Sequence, residues 1–280
     1  MSTDVAPVPR YRGPSALGDD LRRFWSLTFT LAATDFKLRF FGSVLGYLWT
    51  LIRPLLLFGV IYVVFTEIVR FGGDVEHYPV YLLTSIVMFT FFAEATSRGV
   101  TSLVDRENLL RKIRFPRLVI PLSVALAALF NLLANMVAVF VFVFISGVEP
   151  RPDWVQVPLL IAMLVVLATG VTMLLSALYV RYRDMEPIWE VALQLLFYAS
   201  PILYVITFVP EEFRKLAASN PIATILTQMR HALIDADAPT APTVLGGFAE
   251  LLIPVGIVVA IFIVGFWVFF KETPRIAENL

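Results

Sequence analysis

The 280-residue chain has no cysteine and few charged residues, and these two deficits exclude several kinds of protein. Without cysteine, it can form neither a disulfide framework nor a thiolate metal site. Only 16% of its residues are charged, well below the roughly 25% that is usual in soluble proteins. Because 59% are hydrophobic, one soluble domain cannot bury the apolar surface. The composition therefore predicts an all-α integral membrane protein.

The chain also lacks the motifs of common enzymes. A P-loop needs a Gly-Lys-Ser/Thr run, but the four lysines follow Phe, Arg, Arg and Phe. There is no Gly-x-Ser-x-Gly serine motif, and two histidines far apart in sequence, His77 and His231, do not make a metal site. We predict a protein that is not an enzyme and holds no cofactor. An intramembrane glycosyl or acyl transferase and an ion-coupled secondary transporter remain the alternatives.

Six apolar stretches are long enough to cross a membrane, which takes about 20 residues. They predict a six-span domain over residues 42–271, between a flexible tail at 1–18 and a short tail at 272–280. The predicted spans are 44–69, 80–104, 118–146, 155–180, 188–208 and 248–270.

The basic residues predict the orientation of these spans. Fifteen Lys and Arg lie in the two tails and in the second and fourth loops, five lie in the other connections, and two lie within spans. Cytoplasmic loops carry the excess of Lys and Arg. Both termini are therefore predicted to be cytoplasmic, in a multi-pass protein of the plasma membrane.

Residues 19–41 show the pattern of an amphipathic helix lying in the inner membrane interface. Asp35 and Arg39 interrupt its apolar face, so we expect that face to turn toward protein there. The apolar face otherwise consists of Leu21, Phe24, Trp25, Leu27, Thr28, Leu31 and Ala32.

The second loop contains the run "NLLRKIRFPR" and predicts a short cytoplasmic helix over residues 105–115. Glu107 precedes Arg111 by four residues, a spacing that stabilises a helix, and the Phe115-Pro116 step disfavours its continuation. A topology signal is the simpler interpretation of such a basic loop. An apolar face on the helix favours a protein partner; it is formed by Leu109, Leu110 and Ile113.

Two charges of opposite sign lie at similar depth in the first and second spans. An isolated charge there costs about 2.5 kcal/mol or more, so we predict that Arg53 pairs with Glu94. A structural ion pair and a substrate contact are both open.

The outer segment after the fifth span predicts two short helices within residues 210–237. One begins at Pro210, and the other at the Asn220-Pro221 step and includes Arg230; Pro201 interrupts the preceding span. Helices this short and apolar are expected to be partly re-entrant. Two roles are open, an outer gate and an interfacial cap.

The order of these motifs resembles the permeases of the type-two ABC exporter family, which export O-antigen, teichoic acid and capsule. The similarity extends over nearly the whole chain, from about residue 20 to 270. The first-span signature is carried by Asp35, Lys37, Arg39, Ser43, Gly46, Trp49 and Pro54. "NLLRKIRFPR", "RYRDMEPI", "FYASPILY", "VPEEF" and "SNPIATILTQMRHAL" follow in the expected order.

This resemblance implies a homodimer with two copies of a separate ATP-binding subunit, which would hold ATP and Mg²⁺. The cargo would be a lipid-linked glycan, with a cell-wall galactan favoured over O-antigen or teichoic acid; membrane lipid is a partner and nucleic acid is not. The N-terminal helix is similar to a gate, and Lys37 and Arg39 would meet the lipid pyrophosphate, although ordinary anionic lipid is an equal ligand for them. The implied ATPase-coupling residues are Glu107, Leu109, Leu110, Arg111, Ile113 and Phe115, and the implied outer-gate residues are Pro201, Pro210, Asn220, Pro221 and Arg230.

Overall fold

The computed structural model describes residues 21–39, 46, 48–68, 75–112 and 116–279, with side chains left undescribed at 110–112 and 273–279. All regular structure in this described part is helical, so the all-α prediction is confirmed. The α-helices described are α1 (Leu21–Leu38), α2 (Leu48–Val63), α3 (Tyr78–Asp105), α4 (Glu107–Lys112), α5 (Val119–Ile145), α6 (Gln156–Tyr179), α7 (Met185–Ala199), α8 (Glu211–Ala218), α9 (Pro221–Met229), α10 (Ala241–Leu245) and α11 (Leu252–Asn279).

Five helical segments in the described residues, one fewer than predicted, are long and apolar enough to cross a membrane. Each coincides with a predicted span to within a few residues, because long apolar runs are the strongest signal in a sequence. These segments are Leu48–Ile68, Tyr78–Asp105, Val119–Ile145, Pro152–Tyr179 and Ala249–Glu272.

The predicted fifth span, residues 188–208, is a shorter element in the structure. Helix α7 has 15 residues, about 22 Å at 1.5 Å per residue, whereas the hydrocarbon core is about 30 Å thick. Ser200 is extended, with φ −100° and ψ 146°, as expected of a residue that precedes proline. After Pro201 the chain continues irregularly to a 3₁₀ turn at Ile206–Phe208. Pro201 thus interrupts this apolar run, as predicted from the sequence.

Helix α3 lies at the centre of the bundle and packs against α5, α6 and α7. Most of its side chains are buried. Thr172 of α6 donates a hydrogen bond to the carbonyl of Ala95 at 3.1 Å, and Trp189 of α7 donates to the hydroxyl of Thr96 at 3.0 Å. In lipid there is no hydrophobic driving force for helices to associate. Interhelical hydrogen bonds of this kind therefore add to van der Waals packing in holding the helices together. In contrast, α2 and α11 are mostly exposed.

Helices α6 and α11 approach each other closely at two glycines. A Cβ built on Gly170 would lie 2.7 Å from the Cα of Phe262, and one on Gly265 would overlap the carbonyl oxygen of Gly170. Small residues at such crossings let two backbones come into contact.

We expect Gly265→Ala to destabilise the protein by about 2 kcal/mol, the cost of overpacking a close contact. Gly256→Ala is the matched control, because it is on the same helix and its Cβ would meet nothing within 4 Å. That change should be neutral or slightly stabilising, since alanine is the better helix former. Unfolding in detergent measures both variants, and equal effects would contradict the close crossing.

Helix α1 packs along α5 through a narrower face than the sequence suggested. Phe24, Thr28 and Ala32 are buried, whereas Leu21 and Trp25 of the predicted apolar face are exposed. The Thr28 hydroxyl donates to the carbonyl of Phe24 at 2.9 Å, which satisfies it inside the packed face. Leu27 and Leu31 are partly buried against the same cluster as Phe24, so Leu21 and Trp25 are the side chains of this face that remain available to lipid.

In the segment predicted to lie outside, α8 and α9 begin at the residues predicted for them. The Asn220 side chain accepts a hydrogen bond from the backbone N–H of Ile222 at 3.0 Å, and Pro221 occupies the first helical position, where its missing N–H costs nothing. Asn220 also donates to the hydroxyl of Ser200 at 3.0 Å. Helix α9 is almost entirely buried and lies against α3, α6 and α11, as expected of a helix tucked against the spans.

Candidate functional site

A group of polar side chains joins the end of α1 to the spans and to the start of α4. We call it the inner polar cluster. It consists of Asp35, Arg39, Glu94, Arg98, Arg106, Ser123 and Asn131.

Glu94 of α3 is the carboxylate of the cluster that lies within a span. Its Oε1 accepts a hydrogen bond from Asn131 Nδ2 at 2.7 Å and forms an ion pair with Arg39. Arg98, one turn along α3, lies farther away, at 4.0 Å. The side chains of Glu94 and Arg39 are only 17% and 18% exposed, so this pair is largely shielded from solvent.

The predicted pair of Arg53 with Glu94 is not formed. Arg53 is exposed on α2, and of the residues that the structure describes none forms an ion pair with it. Arg39 takes its place because it directly follows the last residue of α1, which brings it alongside α3. Depth in the membrane was the basis of the prediction, and depth does not determine which neighbouring helix faces a charge.

Arg106 was not singled out from the sequence, yet it connects three elements. Its Nη2 forms an ion pair with Asp35 of α1, and its Nη1 donates to the hydroxyl of Ser123 on α5 at 2.9 Å. It separates α3 from α4. In the sequence, Arg106 is distinguished only by its position at the boundary of a span. The sequence analysis therefore included it only among the basic residues of the second loop.

The predicted coupling helix appears as α4, which has six residues. Leu109 is half-buried against a cluster that includes Phe24 of α1 and Leu118. This part of the predicted apolar face thus contacts the rest of this chain. Ile113 and Phe115 lie outside the described residues, as do the side chains of Leu110 and Arg111.

The two cations predicted to meet the pyrophosphate have different surroundings. Lys37 is exposed in the last turn of α1, whereas Arg39 is largely buried against Glu94. An arriving anion could contact Lys37 directly but would have to compete with a carboxylate for Arg39.

The segment after α9, predicted to lie outside, contains a second polar group, centred on Arg230. This residue forms an ion pair with Asp235 at 2.9 Å, and its guanidinium carbon lies 5.8 Å from the ring centroid of Tyr81 on α3. The Tyr81 hydroxyl donates to the carbonyl of Tyr204 at 2.9 Å and also contacts that of Pro201. Two of the predicted outer-gate residues, Pro201 and Arg230, thus meet at Tyr81.

An apolar cavity of about 410 Å³ lies between α1, α5, α6 and α11. Trp25, Leu122 and Val166 contribute to its lining, together with Phe262 and Phe266 of α11. The chemistry of this lining suits hydrocarbon chains and not sugars. Among the described residues, no group of three His, Asp or Glu side chains could hold a metal ion.

Comparisons with known proteins extend over most of the chain. The family profile described as ABC-2 type transporter matches residues 26–234. Over 262 residues the chain is 29% identical to the O-antigen export system permease protein RfbA of Klebsiella pneumoniae, covering 93% of this chain and 97% of that protein. It is 28% identical over 225 residues to a Myxococcus xanthus protein of the same name, with coverages of 78% and 86%. It is 20% identical over 207 residues to the polysialic acid transport protein KpsM of Escherichia coli, with coverages of 71% and 78%.

Proposed function

Because the chain belongs to the ABC-2 type transporter family, we propose that it is the permease subunit of an ATP-driven exporter that moves a lipid-linked polysaccharide outward across the plasma membrane. The similarity to O-antigen and polysialic acid transport proteins supports this class of cargo. A cell-wall galactan is our preferred cargo within the class. The functional unit is a homodimer with two copies of a separate ATP-binding subunit.

The absence of a P-loop from the sequence is the observation that supports a separate ATP-binding subunit. None of the four lysines belongs to a Gly-Lys-Ser/Thr run, which a P-loop requires for its phosphate contacts. An ATP-driven member of this family therefore depends on another chain for ATP and Mg²⁺. Both termini and α4 lie on the cytoplasmic side, where the basic residues are concentrated.

The contacts of Arg106 support a route by which movement at α4 reaches the cargo pathway. Arg106 immediately precedes α4 and bonds both to Asp35 on α1 and to Ser123 on α5. A displacement of α4 by an ATPase would act through this guanidinium on α1, the interfacial helix. The same displacement would act on the inner end of α5.

Cysteine cross-linking tests this proposal, and the cysteine-free chain is a ready background for it. Asn108 is exposed on α4, so we expect Asn108→Cys to form a disulfide with a cysteine on the surface of the co-purified ATPase. The disulfide should stop ATP-dependent movement of lipid-linked polysaccharide in proteoliposomes, and reduction should restore it.

The matched control is Glu149→Cys, an exposed position at the opposite end of α5. It should form no disulfide with the ATPase. A membrane-impermeant maleimide applied to intact cells should label Glu149→Cys and leave Asn108→Cys unlabelled. The reverse labelling pattern, or export by the permease without any ATPase, would refute the proposal.

A further inference from the structure

A small polar pocket lies where α2, α3 and α5 meet. Its volume is about 10 Å³, and its lining includes Pro54 of α2, Glu94 of α3 and Asn131 of α5. Glu94 is eleven residues before Asp105, the last residue of α3, a spacing of about 16 Å along the helix. The hydrocarbon core is about 30 Å thick, so the pocket lies well inside it.

One buried acceptor in the lining of this pocket lacks a donor. Asn131 is 5% exposed, and its Nδ2 donates to Glu94 at 2.7 Å. Its Oδ1 is buried and accepts no hydrogen bond from any of the described residues. Buried polar atoms nearly always have a partner, either protein or ordered water, and lipid chains offer no donor. The amide oxygen therefore points to a small donor bound in the pocket.

Glu94 supplies a second acceptor to the same pocket. The closest approaches of Arg39, Arg98 and Asn131 to this carboxylate are all to Oε1. Oε2 is therefore the oxygen that remains for a further donor. Thr90 also lines the pocket, and its hydroxyl can donate as well as accept. A ligand that donates two hydrogen bonds and accepts one would match these groups.

Size and charge decide which ligand fits. A cavity of about 10–15 Å³ accommodates one water molecule, provided that it offers two to four polar partners. A metal ion would need a surplus of negative charge, but Glu94 already has Arg39 in contact and Arg98 at 4.0 Å. In a region of low dielectric, these two cations would repel a third one strongly. The pocket therefore suits a neutral water molecule.

We propose that one water molecule is bound in this pocket and donates hydrogen bonds to Oδ1 of Asn131 and Oε2 of Glu94. The water satisfies the buried amide and adds a donor to the carboxylate that holds Arg39. It is a fixed part of the junction between α2, α3 and α5, since a buried water with several partners is costly to remove. The site depends neither on the cargo nor on an ATPase, so it stands apart from the proposed function.

X-ray radiolysis of the purified full chain in nanodiscs, read out by mass spectrometry, tests this site. Bound water is split into hydroxyl radicals, which oxidise the side chains beside it even where bulk water has no access. Phe91 and Leu132 line the pocket and are each 2% exposed. Phe269 and Leu103, at 1% and 0%, are the matched controls in a different cluster. We expect Phe91 and Leu132 to be oxidised several times faster than these controls.

Two variants place the source of the radicals in the pocket. Asn131→Leu replaces the unpaired acceptor with a larger apolar side chain, and Val87→Ile adds a methyl group to the lining while both acceptors stay. Each should lower the oxidation of Phe91 to the rate of Phe269. Val100→Ile, at a buried position on the same helix outside the pocket, should leave the oxidation of Phe91 unchanged.

Three results would overturn the proposal. The first is equal oxidation of Phe91 and Phe269 in the unmodified chain, a comparison that decides the matter even where a variant does not fold. The second is rapid oxidation of Phe91 that persists in both Asn131→Leu and Val87→Ile, because the radicals would then come from elsewhere. The third is a higher Tm in sodium or potassium chloride than in N-methylglucamine chloride that is lost in Asn131→Leu, because the pocket would then hold a metal ion.

Discussion

Alanine at Glu94 is expected to lower the free energy of unfolding by about 3 kcal/mol, because removal of one partner leaves a largely buried charge uncompensated. Arg39 would lose its ion pair, Asn131 would lose its acceptor, and Arg98 would lose the carboxylate that lies 4.0 Å away. Glu190→Ala, which removes an exposed glutamate from α7, is the control and should have little effect. Chemical unfolding in detergent micelles measures both.

A double-mutant cycle identifies the partner of Glu94. The Glu94→Ala and Arg39→Ala changes should show a coupling energy of about 2 kcal/mol, because the two side chains are in direct contact. The Glu94→Ala and Arg53→Ala changes should instead be additive, since the structure does not pair these residues. Strong coupling of Glu94 to Arg53 would contradict the Arg39–Glu94 pair and support the Arg53–Glu94 pair that was predicted from depth alone.

Arg106→Gln is expected to reduce export about tenfold or more, by removing charge-assisted bonds worth about 2 kcal/mol. The ATPase should still co-purify, because the changed side chain points to Asp35 and Ser123 and not to the outer surface of α4. ATP hydrolysis should continue while polysaccharide movement falls. The measurement is the ratio of glycan exported to ATP hydrolysed in proteoliposomes.

Two further variants decide whether the ion pair itself matters. Arg117→Gln removes another partly buried arginine of the same loop, one that forms no ion pair with the residues that the structure describes, and it should leave the ratio unchanged. The exchanged pair Asp35→Arg with Arg106→Asp should recover part of the lost export. If Arg106→Gln instead abolished co-purification of the ATPase, Arg106 would belong to the docking surface, and its proposed role in transmitting movement would be wrong.

Much of the fold was predictable because the relevant signals are local. Each long apolar run became a helix, since lipid offers no hydrogen-bond partner to an open backbone. The starts of α8 and α9 followed from proline and from an asparagine cap, Asn220. The interruption predicted at Pro201 is also found, since α7 ends at Ala199, but the helix is shorter than the apolar run suggested.

The inner polar cluster was predicted only in part. Asp35 and Arg39 interrupt an apolar face, and that irregularity correctly indicated contact with protein. Their partners were not predictable, because Glu94 is 55 residues away from Arg39 in the chain and Arg106 is 71 residues away from Asp35. Which of several arginines at similar depth reaches Glu94 depends on the rotation and neighbours of whole helices. Hydropathy carries no information about either.

The sequence by itself determined that this is a multi-pass helical membrane protein without a P-loop, because composition, apolar run length and motif content do not depend on packing. Only the tertiary structure decided that Arg106 connects α1, α3 and α5, and that Arg53 remains exposed while Arg39 neutralises Glu94. The physical reason is the sequence distance over which each interaction acts. A helix in lipid makes its backbone hydrogen bonds between residues a few positions apart, whereas a side-chain charge is neutralised by whichever helix the fold places beside it.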